Sequence, residues 1–408
     1  MASPLSSSTS IVKTASSASS TATSARPPWW TANLPDFVGA YLDNAASTPL
    51  HPELIAGFAD SANRFFVNPA SAYPLGQSAR RELLRCEQVL LTALGIPADE
   101  AQIIWTSGGT EANNLALRSF SDSGPIVVSA AEHSSVGALR EAVACPWRVV
   151  PIDAAGSLDL GELCNALDST VSLVSVHAVQ NETGARQDTE QIAAIIREHA
   201  PQARLHHDAV QLAGKLPLSW AGLDMLTLSG HKLHGPGGAG ALIVRKGVSL
   251  TPQILGGEQQ GNLRSGSIDV CGVRNLAEAV RLTVEKAADF AVCELRNALV
   301  AGLSELSLPN GRSVLLNSPP DGSPYIVNAS LPGYEGAVLV RMLGMEGIMV
   351  AAGSACSAAT RTPSAVLLAM GRSHEQAFGA LRFSFGIQST PSDVEACLAA
   401  LRKLLKDY

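Results

Sequence analysis

Short apolar runs alternate with helix-like stretches through most of the chain. The runs fall at 102–106, 126–129, 148–152, 172–176, 203–207, 225–228 and 241–244. They are close to continuous in apolar residues rather than alternating, which predicts strands buried on both faces of a mostly parallel sheet. Helical periodicity covers 52–66, 77–94 and 112–119, and a long helical pattern from 272 to 308 reads as a connector. The last hundred or so residues mix strands at 325–330, 347–351 and 381–385 with helices. The expected fold is therefore α/β. A large domain over 52–271 holds a seven-stranded, mostly parallel sheet between helices, and 272–408 with an arm at 38–51 forms a smaller α+β domain. No internal repeat is present.

Residues 1–37 break this pattern. They are rich in Ser, Thr and Ala, with Lys13, Arg26 and Asp36 as their charged residues, and cannot bury a core. They read as a disordered tail or as a transit peptide, which implies plastid or mitochondrion in the second case and cytoplasm in the first. Over all 408 residues, 46% hydrophobic and 16% charged content suits a large core. A net charge of −7 without a dense Lys/Arg cluster gives no footprint for nucleic acid. No apolar run is long enough to cross a bilayer, so no membrane partner is expected. Cys86, Cys145, Cys164, Cys271, Cys293, Cys356 and Cys397 are scattered with no CxxC pair. That arrangement fits neither a disulfide framework nor a zinc site and suits a reducing compartment.

The candidate chemistry collects where strands end and loops begin. Ser229-Gly230-His231-Lys232-Leu233-His234-Gly235-Pro236 follows the run at 225–228, so Lys232 stands just past a buried strand. A cation there is costly unless neutralised or used covalently. The covalent use is a Schiff base to an aldehyde cofactor, pyridoxal 5'-phosphate, with Ser229 and His231 at its phosphate. A solvated lysine on a turn is the plain alternative. Thr106-Ser107-Gly108-Gly109-Thr110-Glu111 joins a strand to a helix and offers N–H groups that suit a phosphate. It has neither the lysine of a Walker loop nor dinucleotide spacing, and a helix cap at Thr110 is its alternative.

His133 can stack on a planar ring or move protons, or be an ordinary loop histidine. Gln180-Asn181-Glu182-Thr183-Gly184 crowds polar groups at a strand end, and is equally turn chemistry. Asp208 ends an apolar run, where a buried carboxylate needs a partner. A protonated pyridine nitrogen supplies one, and Gln211 can then reach the ring's phenolic oxygen. A metal site on His206, His207 and Asp208 is disfavoured because neighbouring strand residues face opposite ways, and no metal is expected. Arg264-Ser265-Gly266-Ser267 is a phosphate contact or a turn. Cys356 sits among small residues in Gly353-Ser354-Ala355-Cys356-Ser357. Arg382 puts a guanidinium into an apolar strand, where it pairs with a structural or a substrate carboxylate.

Taken in order, Asp43-Asn44-Ala45-Ala46, Thr106-Ser107-Gly108-Gly109-Thr110-Glu111, Glu132-His133, Asn181-Glu182-Thr183-Gly184, His206-His207-Asp208, Ser229-Gly230-His231-Lys232, Gly353-Ser354-Ala355-Cys356 and Leu381-Arg382-Phe383-Ser384-Phe385-Gly386 resemble the cysteine desulfurases. These are fold-type I pyridoxal phosphate enzymes of the class V aminotransferase-like branch, and the likeness runs from Tyr41 almost to the C-terminus. The resemblance implies that Lys232 carries the cofactor and moves the substrate's α-proton, while His133 stacks on the ring. It implies Asp208 at the pyridine nitrogen and Gln211 at the phenolic oxygen. Gly109, Thr110, Ser229 and His231 go with the cofactor phosphate, and Ser267 joins them from the second subunit of a homodimer. Asn44, Asn181 and Arg382 bind the substrate. Cys356 takes the sulfur of L-cysteine as a persulfide, leaving L-alanine, for delivery to an acceptor protein. Tyr73 stands where desulfurases usually carry histidine and is similar to selenocysteine lyases, which gives the competing substrate. A related lyase or aminotransferase, and a non-catalytic partner on the same fold, complete the alternatives. Gln180, Gln260, Ser267 and Ile387 also depart from the family pattern.

Overall fold

The computed structural model describes residues 39–353 and 362–407. The N-terminal tail and Cys356 lie outside them. An arm strand, β1 (Ala40–Tyr41), is followed by β2 (Ala101–Thr106), β3 (Ile126–Ser129), β4 (Trp147–Val150), β5 (Leu173–His177), β6 (Arg204–Asp208), β7 (Met225–Ser229) and β8 (Gly240–Arg245). The last seven form one sheet in the order β2-β8-β7-β6-β5-β3-β4. Each lies within two residues of its predicted run. Six strands run one way and β8 alone runs against its neighbours β2 and β7.

Alternate residues feed two apolar layers. Ile103, Val127, Val174, Leu205, Leu226 and Ile243 belong to the larger core. Helices Pro74–Ala93 and Val270–Asp289 cover it, packed against each other, with Leu83, Leu90, Leu276 and Val280 facing inward. Ile104, Ile126, Val128, Met225 and Leu242 face the other way, under Leu115 and Leu117 of helix Gly109–Arg118. Each of these side chains contributes about 1.5–3 kcal/mol through burial, which is why both faces must be covered.

The remaining strands are β9 (Leu315–Leu316), β10 (Ile326–Ser330), β11 (Ile348–Met349) and β12 (Ala380–Ser384). β12, β10 and β9 make an antiparallel sheet, and β1 of the arm runs parallel to β11. The predicted connector at 272–308 is two helices, Val270–Asp289 and Val292–Ser304. Phe290 breaks them: its backbone is extended, and its ring packs 6.1 Å from that of Tyr325.

Two local devices shape the sheet edge that carries the site. Thr106, Gly240 and Ser229 lie side by side in register. The turn after β2 is pressed so close that a Cβ on Gly240 would sit 2.5 Å from the Gly108 Cα. On the open edge of β2, Gln260 donates through Nε2 to the Trp105 carbonyl at 2.9 Å and accepts the Trp105 N–H at 2.7 Å. Its side-chain amide thus fills one ladder position as a neighbouring strand would.

Gly240→Ala should destabilise the protein by about 1–3 kcal/mol, because backbone on both sides must move. Gly237→Ala, where an added Cβ meets nothing within 4 Å, should stay within about 0.5 kcal/mol of wild type. Denaturant midpoints of the two variants check this; equal shifts would show that the close approach does not matter.

Candidate active site

The loops after β2, β3, β5, β6 and β7 leave the same edge of the sheet and enclose a cavity of about 470 Å³. Lys232 enters it from the turn Gly230–Lys232, which follows β7. Its Nζ donates to the carbonyls of Ala45 at 2.9 Å and Ala46 at 2.6 Å, both on the arm. The arm is tied to the same turn by backbone: Thr48 N–H donates to the His231 carbonyl, and His51 N–H to that of His234. The lysine is therefore an ordered amine on a cavity wall, not a solvated side chain.

Asp208, the last residue of β6, is buried and faces the cavity. Its Oδ1 accepts the Val210 N–H at 3.0 Å and its Oδ2 accepts Asn113 Nδ2–H at 2.7 Å. The same Asn113 nitrogen donates to Ser135 Oγ at 2.8 Å, and Ser135 Oγ lies 2.8 Å from His133 Nδ1. His133 Nδ1 also accepts the Ser135 backbone N–H, which puts the proton of the neutral ring on Nε2. A carboxylate and an imidazole on separate loops are thus joined through Asn113 and Ser135. Gln211 lines the wall beside them, its Nε2 donating to the Ala45 carbonyl at 2.9 Å.

Gly109, Thr110, Ser229 and His231 also line the cavity. Ser229 Oγ and His231 Nδ1 are 3.1 Å apart. Burial, then the charges of Lys232 and Lys215, pull the His231 imidazole down to about 4, so it is neutral at ordinary pH. Thr110 does not cap its helix: Gly108 precedes the first turn, and the Ser107 N–H is taken by Glu111 Oε2. Glu111 in turn receives two hydrogen bonds from Arg264, whose sequence neighbours led to an expectation of phosphate contact or turn. The arginine braces the loop from outside the cavity.

Arg382 and Asn181 close the third side. Arg382 is 2% exposed; its Nη2 donates to Asp43 Oδ1 at 2.8 Å and its Nη1 to the Asn181 carbonyl at 3.0 Å. Its Nε has no partner among the described residues. Beside it, burial raises the Glu182 carboxyl, partly offset by a hydrogen bond with Ser364 and by Arg382. Asn44 is not in the cavity. Its amide is spent on the carbonyls of Ser384 and Tyr41 and on Gln388. Tyr73 is exposed, and Ser267 lines separate surface dents, one of them with Phe66 and Asn68.

Sequence reasoning gave no role to Asn113, Ser135, Glu132 or His177. Asn113 follows Gly109 by four residues, one helical turn, and this spacing was the available signal. Glu132 accepts both the backbone N–H and the Nδ1–H of His177, and His177 Nε2 meets Gln187. Nothing local in the sequence marks that pairing. The histidines on β6 diverge as their alternation requires. His206 lies between Ser175 and Thr227 hydroxyls, while neither ring nitrogen of His207 has a partner among the described residues.

A family model described as Aminotransferase class-V matches residues 40–397. A cysteine desulfurase of Cereibacter sphaeroides is 37% identical over 372 residues, covering 88% of this chain and 94% of the relative. An IscS-like cysteine desulfurase of Mycobacterium tuberculosis is 36% identical over 385 residues, covering 89% and 95%. Among solved structures, a NifS-like protein from Rickettsia africae superposes with a TM-score of 0.83 at 29% identity, covering 91% of this chain and all of the other. SspA, solved in complex with cysteine, gives a TM-score of 0.72 at 27% identity, covering 86% and all of its chain.

Burial pushes the His206, His207 and His234 rings down to about 3 each. In the unfolded chain they titrate near 6.5, so between those values unfolding takes up their protons. Their stabilising contribution is complete above the unfolded value and is lost as pH falls. Between about pH 5 and 6 the three together should give a slope approaching ~4 kcal/mol per pH unit. His207→Leu should flatten that slope by about a third, as read from denaturant unfolding across the window.

Proposed function

The chain belongs to the aminotransferase class-V family and, within it, to the cysteine desulfurases, and on that premise we propose that it converts L-cysteine to L-alanine and passes the sulfur on through Cys356. Enzymes of this family use pyridoxal 5'-phosphate. The residues present fit that cofactor on physical grounds. The observation carrying the proposal is an amine, Lys232, and a carboxylate held by two N–H donors, Asp208, lining the same cavity. A helix N-terminus also opens into that cavity at Gly109, where a Cβ would meet Val210 at 2.9 Å.

Lys232 would hold the cofactor, with Asp208 at the pyridine nitrogen and Gln211 at the phenolic oxygen. Thr110, Gly109, Ser229 and the neutral His231 would receive the phosphate by N–H and O–H donation. When bound, the cofactor supplies an aldehyde for amines and a ring that takes up negative charge from the adjacent carbon. The rest is the work of the chain. Asp208 keeps both oxygens anchored and still has lone pairs for one more donor. His133 carries its mobile proton on Nε2, with Asn113 and Ser135 fixing the ring. Lys232 moves a proton at Nζ once that amine is released, within reach of the Ala45 and Ala46 carbonyls that orient it. Asn181 and Arg382 take the substrate carboxylate, Arg382 bringing the unmatched Nε–H. The Cys356 thiolate forms a bond to the substrate's sulfur as the carbon–sulfur bond breaks, giving a persulfide whose outer sulfur goes to an acceptor protein. A homodimer in which Ser267 reaches the partner's phosphate corner accounts for the distance of Ser267 from its own cavity.

The test is sulfide and alanine release from L-cysteine with a thiol reductant. Wild type should release both, and Cys356→Ala should fall below about a thousandth of the wild-type rate. Lys232→Ala should lose both products together with the cofactor's visible absorbance. Selenide from selenocysteine with no sulfide from cysteine would transfer the proposal to selenocysteine lyase. A wild-type protein that stays colourless with pyridoxal phosphate would remove it altogether.

A further inference from the structure

Lys215 follows Gln211 by four residues, in the turn after β6, and nothing in the mechanism above uses it. It is 8% exposed. No carboxylate among the described residues lies within ion-pair distance of it. The other groups that act on it electrostatically are Lys232 and the rings of His231 and His234, which are cationic or neutral, and none is an anion. The Tyr325 ring lies 5.9 Å from its Nζ. Burial and the nearby Lys232 bring its ammonium down to about 7. A buried cation without a counter-ion costs stability that a methionine of similar volume would not. The Tyr325 ring contact offsets only part of that cost.

The one hydrogen bond of the Lys215 side chain among the described residues is informative. Its Nζ donates to Gln211 Oε1 at 3.3 Å, while Gln211 Nε2 donates to the Ala45 carbonyl. An ammonium can only donate and a carbonyl can only accept, so these two partners fix which way round the Gln211 amide lies. The second N–H of that amide is then the group Gln211 offers to the cavity. Behind it stands a positive charge without an anion.

We propose that Lys215 is a positioning residue for the cofactor: through Gln211 it turns an amide N–H toward the ring's phenolic oxygen and sets behind it the cation that this oxygen's negative charge completes. This rests on the proposed cofactor site. The anion arrives with the ligand, and its arrival holds the proton on Lys215.

Equilibrium binding of pyridoxal phosphate to the cofactor-free full chain, followed by absorbance across a pH series, tests it. Lys215→Met should weaken binding by about tenfold near neutral pH and raise the midpoint of the bound chromophore's colour change by about one pH unit. Denaturant stability of the cofactor-free variant should be unchanged or higher, since a buried unpaired charge has gone. Lys215→Gln keeps a donor to Gln211 without the charge. It should retain part of the affinity but show the same shift in midpoint, and it serves as the test if the methionine variant does not fold. Wild-type affinity and midpoint in both variants would overturn the inference and leave the cofactor site standing. Weaker binding that accompanies lower stability of the cofactor-free protein, with an unmoved midpoint, would overturn it as well. A wild-type chain that forms no chromophore would overturn the cofactor site and this inference together.

Discussion

Two backbone carbonyls of the arm, those of Ala45 and Ala46, hold the Lys232 amine, and the rest of the cavity is assembled around that contact. Ala45 also accepts from Gln211, and its N–H donates to Ser384 Oγ on β12. One short turn therefore touches the loop after β6, the C-terminal sheet and the Lys232 amine at once. Backbone carbonyls cannot be protonated, and a peptide segment fastened on both sides cannot turn away. The amine's position is thus set by tertiary structure and not by the flexible four-carbon stem that carries it.

Electrostatics follows from that placement. His231 lines the cavity beside Lys232, and burial together with the charges of Lys232 and Lys215 keeps its ring neutral; Lys215 lies behind Gln211, outside the lining. The lining also holds the carboxyl groups of Asp208, Glu132 and Glu182.

The large sheet was legible because near-continuous apolar runs permit little else, and each run became a strand within two residues of its expected place. Lys232, Asp208, His133 and Gln211 were legible from their position near strand ends, Arg382 from its place inside an apolar strand, and all from motif order; all five line one cavity. Asn44 was not: its motif neighbours reach the site, but its own side chain turns to Ser384 and Gln388. A motif records which residues travel together and says nothing about which way each one faces. Asn113 and Lys215 were passed over for the converse reason. Their roles exist only through partners that lie 95 residues away for Asn113 and within one buried turn for Lys215. The break at Phe290 likewise comes from a ring contact that helical periodicity cannot express.

Gln260 has a consequence beyond the loop it fastens. β2 is the rim of a seven-stranded sheet, and a bare rim is a template on which a foreign strand can zip. By satisfying both backbone groups of Trp105, the glutamine puts a stopper at the end of the strand nearest the cavity. One amide thus both fastens the loop at 259–262 and covers a rim position that another strand would otherwise take.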